Sequence, residues 1–316
     1  MPDRVHHHPQ LIFSVGTQVV SAVDVLGDGR QILHPKGSVG VVIKAPKDLD
    51  HAYRIRFLDG VEAPLKVDNL RLLAQYKEGE IGNTARSLER TNLFERVILR
   101  CVIGSQAYGL AGEQSDIDRR GIYLPSAESQ WSLYGVPDLL DREETQEAYW
   151  ELQRFMILAL KSNPNVLECL FTPLIESATP LAHELLGMRS IFLSRLVYQT
   201  YNGYVMSQFK KIQADLRNQG QVKWKHVMHL IRLLLSGIEV LNTGSLSICV
   251  VEHRDALLSI KRGEMPWAEV ETWRRALHLE FNRAFDETRL PERPDYEQAN
   301  AFLIKARRAA ISEELP

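Results

Sequence analysis

Two aspartates, Asp116 and Asp118, follow a Gly104-Ser105 pair after a short gap. On a strand, residues i and i+2 project from the same face. Two carboxylates on one face can hold a hard divalent cation. Magnesium suits them, because it takes one or two carboxylates, substrate phosphates and several waters. Paired metals can clamp the attacking and leaving oxygens of a phosphoryl transfer. Gly104 permits a sharp backbone turn. Ser105 adds a hydroxyl, and successive N–H groups at such a turn form an anion-binding nest. The chemistry in view is metal-assisted attack on a phosphate chain. Gly-Ser pairs and Asp-x-Asp segments are each common in ordinary turns and solvated loops; together, at this spacing, they are specific.

The elements that must position these residues are legible in outline. Residues 96–103 form an apolar, β-branched run, either a strand or a helix-to-strand junction that feeds the Gly104 turn. Residues 151–160 carry apolar side chains at helical spacing, and that helix is expected to end near Asn163-Pro164. Val227, Leu230, Ile231, Leu234 and Ile238 recur every three or four positions, which predicts a helix over 221–242, and a last helix is expected from Tyr296 to Ile311. Lys210, Lys211, Arg217, Lys223, Lys225 and Arg232 cluster with only Asp215 opposing them. Lys225, His229 and Arg232 stand at i, i+4 and i+7, so one helical face would carry all three, facing triphosphate oxygens or an RNA backbone. Trp224 is either a base-stacking platform or a core residue.

Gly104-Ser105-Gln106-Ala107-Tyr108-Gly109 with Ser115-Asp116-Ile117-Asp118-Arg119-Arg120-Gly121 resembles the signature of the DNA polymerase beta-type nucleotidyltransferase superfamily. Tyr108, Gly109, Arg120-Gly121 and the run Asn163 to Phe171 are similar to its bacterial, RNA-repair-associated branch, over about residues 88–310. The resemblance implies an enzyme that moves a nucleoside monophosphate from a triphosphate, ATP foremost, to an acceptor hydroxyl and releases pyrophosphate. It implies Mg2+ or Mn2+ on Asp116 and Asp118, and nucleotide contacts from Gly104, Ser105, Tyr108, Ser115 and Arg120; the helical spacing adds Lys225, His229 and Arg232 as candidate nucleotide contacts. One of Arg119 and Arg120 would face phosphates and the other a structural carboxylate. The family supplies a third catalytic carboxylate from a later strand. Where an aspartate is expected, near 146, the chain has Gln146; Glu147 is the nearest replacement, with Glu144 and Glu151 behind it. A one-residue shift on a strand reverses the face. The acceptor implied is an RNA 3′ end; AMP transfer onto a protein partner and a non-catalytic nucleotide sensor are the alternatives.

The first 75 residues read as a separate unit of short strands broken by turns, with Asp59-Gly60 as a hairpin signal and Tyr53-Arg54-Ile55-Arg56-Phe57 as a half-buried strand. The stretches Val15 to Val19, Gly37 to Ile43 and Tyr53 to Gly60 resemble SH3-like barrels of the Tudor and KOW kind, which bind peptides or nucleic acids or serve only as docking modules. Residues 76–87 read as a polar linker. The expected class is therefore α+β: an SH3-like β-barrel over 1–75, a nucleotidyltransferase core over 88–172 and a helical nucleotide- or acceptor-binding domain over 173–316.

Composition narrows the partners. A formal net charge of −2 over 316 residues excludes a wholly basic nucleic-acid clamp. Three dispersed cysteines, Cys101, Cys169 and Cys249, give neither a disulfide framework nor a zinc spacing, and their apolar neighbours predict packed thiols. His6, His7 and His8 cannot all face one ion from a regular element, so a flexible or appended terminus is expected there. No signal-like segment opens the chain and no apolar run reaches membrane-spanning length, so the expected compartment is cytoplasmic.

Overall fold

The computed structural model describes residues 12–27, 29, 31–46, 51–78, 92–112, 115–219 and 221–311. The chain forms two compact units, Met1–Asn83 and Thr84–Pro316. The histidines at 6–8 lie outside the described residues, as does the part of the expected linker beyond 78.

In the first unit, β1 (Gln18–Ser21), β2 (Val25–Leu26), β3 (Ile32–His34), β4 (Val39–Lys44), β5 (Tyr53–Phe57), β6 (Glu62–Leu65) and β7 (Leu70–Leu72) precede helix α1 (Leu73–Glu78). Alternation in β5 buries Tyr53, Ile55 and Phe57 and exposes Arg54 and Arg56. The five-stranded antiparallel sheet runs β6-β5-β4-β1-β7, and β2 pairs β3 as a separate hairpin. Its buried face gathers Val19, Val42, Tyr53, Ile55, Phe57 and Leu70 into one core. The ladder is not a closed barrel: among the described residues β6 and β7 are its two edges. Residues 76–78, read from sequence as linker, belong to α1.

The second unit is built on a mixed sheet of β8 (Val97–Ile103), β9 (Asp118–Tyr123), β10 (Leu139–Arg142), β11 (Glu147–Glu151) and β12 (Ile175–Ala178), in the order β10-β11-β9-β8-β12. Among the described residues of this sheet, only β11 and β9 pair in parallel. Its helices are α2 (Gly104–Ala107), α3 (Ala127–Trp131), α4 (Leu152–Leu160), α5 (Pro164–Phe171), α6 (Pro180–Gly187), α7 (Leu196–Gln219), α8 (Trp224–Thr243), α9 (Arg254–Arg262), α10 (Trp267–Glu287) and α11 (Tyr296–Ile311). Helix ends follow local chemistry. The Glu151 carboxylate caps α4 by accepting from the Gln153 and Arg154 amides. Asn163 caps α5 with Pro164 in its first turn, so the expected helix break is also a helix start. Gly244, left-handed at φ 67°, ends α8.

The two faces of this sheet differ. Leu99, Cys101, Ile103 and Ile122 join one continuous core with α4, α5, α7, α8 and α10. Tyr123, Tyr149, Leu93 and Leu140 form a small cluster on the other face. Gly121 is required by pairing: a Cβ there would run into the Leu99 carbonyl on β8. The large core passes through residues on both sides of position 172, so the sheet and the C-terminal helices pack as one body. Among the described residues, no helix is long and apolar enough to cross a membrane.

Candidate functional site

Strand β8 ends at Ile103, and Gly104 turns the chain at φ 72° into the single helical turn of α2. That conformation favours glycine. A Cβ on Gly104 would also stand against the Asp118 carboxylate Oδ2, closer than van der Waals separation allows, so the carboxylate would have to swing aside. The turn and the carboxylate are therefore in direct apposition. The register explains it: Ile103 pairs Asp118 where β8 ends and β9 begins. Asp118 shares its face with Arg120 and Ile122, the face covered by the large core.

Asp116 precedes β9 rather than lying on it, and it is exposed. The i, i+2 strand geometry expected of the pair does not form, because β9 starts only at Asp118. Asp118 is partly exposed and, among the described residues, meets a long contact, 3.4 Å, from the Arg120 guanidinium. Arg120 itself is held by the carbonyls of Arg119 and Gln146, each at 2.8 Å. Arg119 binds the structural carboxylate Glu176 through Nε at 2.9 Å and 3.1 Å; this hydrogen bond, working against desolvation, holds its guanidinium above the ordinary arginine range. Ser105 is half-buried at the start of the turn. The Ser115 hydroxyl accepts from the Gly112 amide at 2.9 Å and so fastens the loop ahead of the aspartates.

Among the described residues no group of three His, Cys, Asp or Glu is placed to hold a metal. Asp116 and Asp118 are accessible carboxylates, and magnesium binds through one or two such groups with its remaining ligands from water and substrate phosphates.

Glu147 is not brought to this site. In the parallel pairing it lies level with Arg119, and Tyr149 with Gly121, on the face of the small cluster. Its buried carboxylate stands 4.0 Å from Arg100 and 3.7 Å from Arg142. The Arg119 amide donates to the Gln146 carbonyl, so Gln146, one step before Glu147, comes level with Asp118. Its backbone is left-handed at φ 54°, and its side-chain amide donates to the Glu143 carbonyl. Glu144 lies in the single helical turn before β11, and Glu151, besides capping α4, binds Arg307 at 2.6 Å.

Tyr108 and Arg232, expected to touch nucleotide, are buried together. Arg232 and Glu168 are each 2% exposed and Tyr108 is 8% exposed. The Tyr108 hydroxyl donates to Glu168 at 2.5 Å, Arg232 meets the same carboxylate at 2.8 Å, and its guanidinium lies 3.9 Å from the Tyr108 ring centroid. Burial pushes the Tyr108 phenol well up. Burial also lowers the His229 imidazole to about 3, with help from Arg232, Lys211, His226 and Lys225, so it is neutral near pH 7. Of the expected three-residue face, only Lys225 is an exposed cation. Trp224 packs against Gly263 and Trp267, which favours its core role.

Sequence reasoning missed a second fastening of the turn. Three successive carbonyls, Tyr108, Gly109 and Leu110, accept from the Val250 amide at 3.1 Å, Arg254 Nε at 2.9 Å and Lys261 Nζ at 2.9 Å. No local pattern signals it, since the partners lie about 150 residues downstream. Glu168 has one sign, the single charged residue of a largely apolar helix. Cys249 is exposed rather than packed, while Cys101 and Cys169 are buried.

The second unit has two openings of note, the first of them beside the turn at Gln106. A cleft of about 360 Å³ is lined by Val102, Gln106, Ile117, Leu174, Ile175 and Glu176. A cavity of about 650 Å³ lies between α8, α10 and the segment 247–253, where Glu239, Glu252 and Glu280 make it unsuited to phosphates.

No solved structure matches the chain. It is 26% identical over 147 residues to the uncharacterized protein YcgL of Bacillus subtilis (strain 168), covering 45% of this chain and 55% of that protein. The chain thus spans about half the length of that relative. A much longer stretch, residues 78–305, matches the model of one family, and it takes in the turn, both aspartates and the helices that fasten them: the chain belongs to RlaP, the RNA repair pathway DNA polymerase beta family.

Proposed function

We propose that this protein is a metal-dependent nucleotidyltransferase that moves a nucleoside monophosphate from a nucleoside triphosphate, ATP foremost, to the 3′ hydroxyl of an RNA. The observation that carries the reading is the apposition of the Gly104 turn and the Asp118 carboxylate. A phosphate chain on the turn would lie beside the carboxylates. Asp116 and Asp118 would hold Mg2+ or Mn2+, which when bound supplies positive charge against the phosphate oxygens. The Ser105 hydroxyl and the amides of the turn orient the β,γ-phosphates. The acceptor oxygen forms a bond to the α-phosphorus, the bond from that phosphorus to the bridging oxygen breaks, and pyrophosphate leaves. Glu147 lies on the other face of the sheet, so the acceptor's proton passes to solvent water rather than to this carboxylate.

The choice of RNA rests on charge. Lys210, Lys211 and Arg217 on α7, with Lys223 and Lys225 at the start of α8, are all exposed, and four residues separate the two helices. This end of the helical pair gathers cations as a nucleic-acid backbone requires.

The test is purified protein with magnesium, each α-labelled triphosphate and a mixed RNA pool. Label on RNA with pyrophosphate release supports the reading. Label on protein transfers it to nucleotidylation of a partner. Triphosphate binding without release supports the sensor, the reading favoured by a glutamine at 146 level with Asp118.

A further inference from the structure

The proposed site leaves one buried assembly without a role. Glu168, Arg232 and Tyr108 hold a carboxylate and a guanidinium away from water. Burying such a pair costs desolvation that apolar side chains of similar volume would avoid. Among the described residues, Arg232 Nε is also left without a hydrogen-bond partner. An unpaired buried donor is a further loss of stability. The assembly therefore specifies an arrangement more than it maximises stability.

The arrangement it specifies leads to the aspartates. Tyr108 closes the turn that Gly104 opens, its amide donating to the Gly104 carbonyl at 3.0 Å. Gly104 in turn stands against Asp118. A displaced Tyr108 would shift the turn along the carboxylate it faces. We infer that Glu168 is a positioning residue: by accepting from Tyr108 and holding Arg232 over the ring, it fixes the turn from Gly104 to Tyr108 against Asp118. The inference rests on the nucleotidyl-transfer reading for its effect on turnover, but not for its effect on the turn itself.

Tyr108→Phe keeps the ring beneath Arg232 and removes only the hydroxyl, so it is the informative variant; Glu168→Gln keeps the shape and removes the charge. Both are compared with wild type well below their melting temperatures, in pyrophosphate release per folded molecule. The expected result is a kcat lowered about tenfold or more, with the triphosphate KM within about twofold. The double variant should lose less than the two single losses combined, because both changes act on the same buried assembly. Unchanged kcat with a lower melting temperature would overturn the inference and leave the assembly as packing. A second arm needs no turnover: amide hydrogen exchange should quicken at residues 104–110 in Tyr108→Phe and not across the rest of the core. If wild type releases no pyrophosphate, the functional reading fails while this arm still decides the positioning role. Unaltered exchange at 104–110 would defeat the inference even in an active enzyme.

Discussion

Gly104→Ala places a methyl group against the Asp118 carboxylate and strains a backbone held at φ 72°. The variant should lose turnover by about a hundredfold, since small misplacements at a reacting centre cost that much; near-normal pyrophosphate release would show that the apposition has no catalytic meaning. Asp116→Asn with Asp118→Asn should abolish release while circular dichroism and melting stay close to wild type, as both side chains are solvent-accessible. Glu147→Gln should behave in the opposite way. Its carboxylate is buried between Arg100 and Arg142, so the variant is expected to melt earlier yet turn over within about threefold of wild type. A turnover loss as large as that of the aspartate pair would return Glu147 to the site.

At the scale of elements, the start of α8 combines exposed lysines with a buried histidine. Reversing charge with Lys223→Glu and Lys225→Glu should weaken RNA binding at low salt. The salt slope should flatten by about 0.7 for each RNA phosphate no longer neutralised. An unchanged slope would place RNA elsewhere. His229 adds a pH dependence. Its folded value of about 3 lies below the ordinary 6.5, so between these values the unfolded chain binds the extra proton. Stability should then fall as pH drops from 6.5 toward 3 and be unaffected by this group above 6.5. His229→Gln should lose that part of the acid sensitivity in a melting series.

These elements also show what a sequence displays. The alternation in Tyr53 to Phe57 and the span Tyr296 to Ile311 correspond to β5 and α11 residue for residue, because period and turn chemistry are local. Hairpin β2–β3 gives no such signal because its strands are two and three residues long. Asp116 falls outside the strand because a boundary decides it. Arg232 reads as a free cation, since its partner Glu168 comes from a different helix and neither window contains the other. The face of Glu147 depends on register with β9, which local sequence does not specify.

At the scale of the whole molecule, the two units carry separate cores. A fragment of residues 84–316 should therefore fold and keep its turnover with a small nucleotide acceptor, measured by pyrophosphate release. Loss of folding would show that the N-terminal sheet is part of the same cooperative body. Charge is divided across the second unit in spite of the near-neutral total: cations collect where α7 meets α8, while Glu239, Glu252 and Glu280 line the large cavity. A polyanion is attracted to one region and repelled from the other, which gives approach a direction.

The three carbonyls of Tyr108, Gly109 and Leu110 have a meaning in time as well as in space. Their donors, Val250, Arg254 and Lys261, are made long after the turn itself, with 151 residues separating Leu110 from Lys261. During vectorial synthesis the sheet and both aspartates are complete while the turn still lacks these restraints. A nascent chain that stops short of residue 250 would carry the carboxylates without the means to align a phosphate chain beside them. On the proposed function, competence arrives late in translation, and premature termination after β12 but before the start of α9 should leave a polypeptide with the signature residues and no turnover.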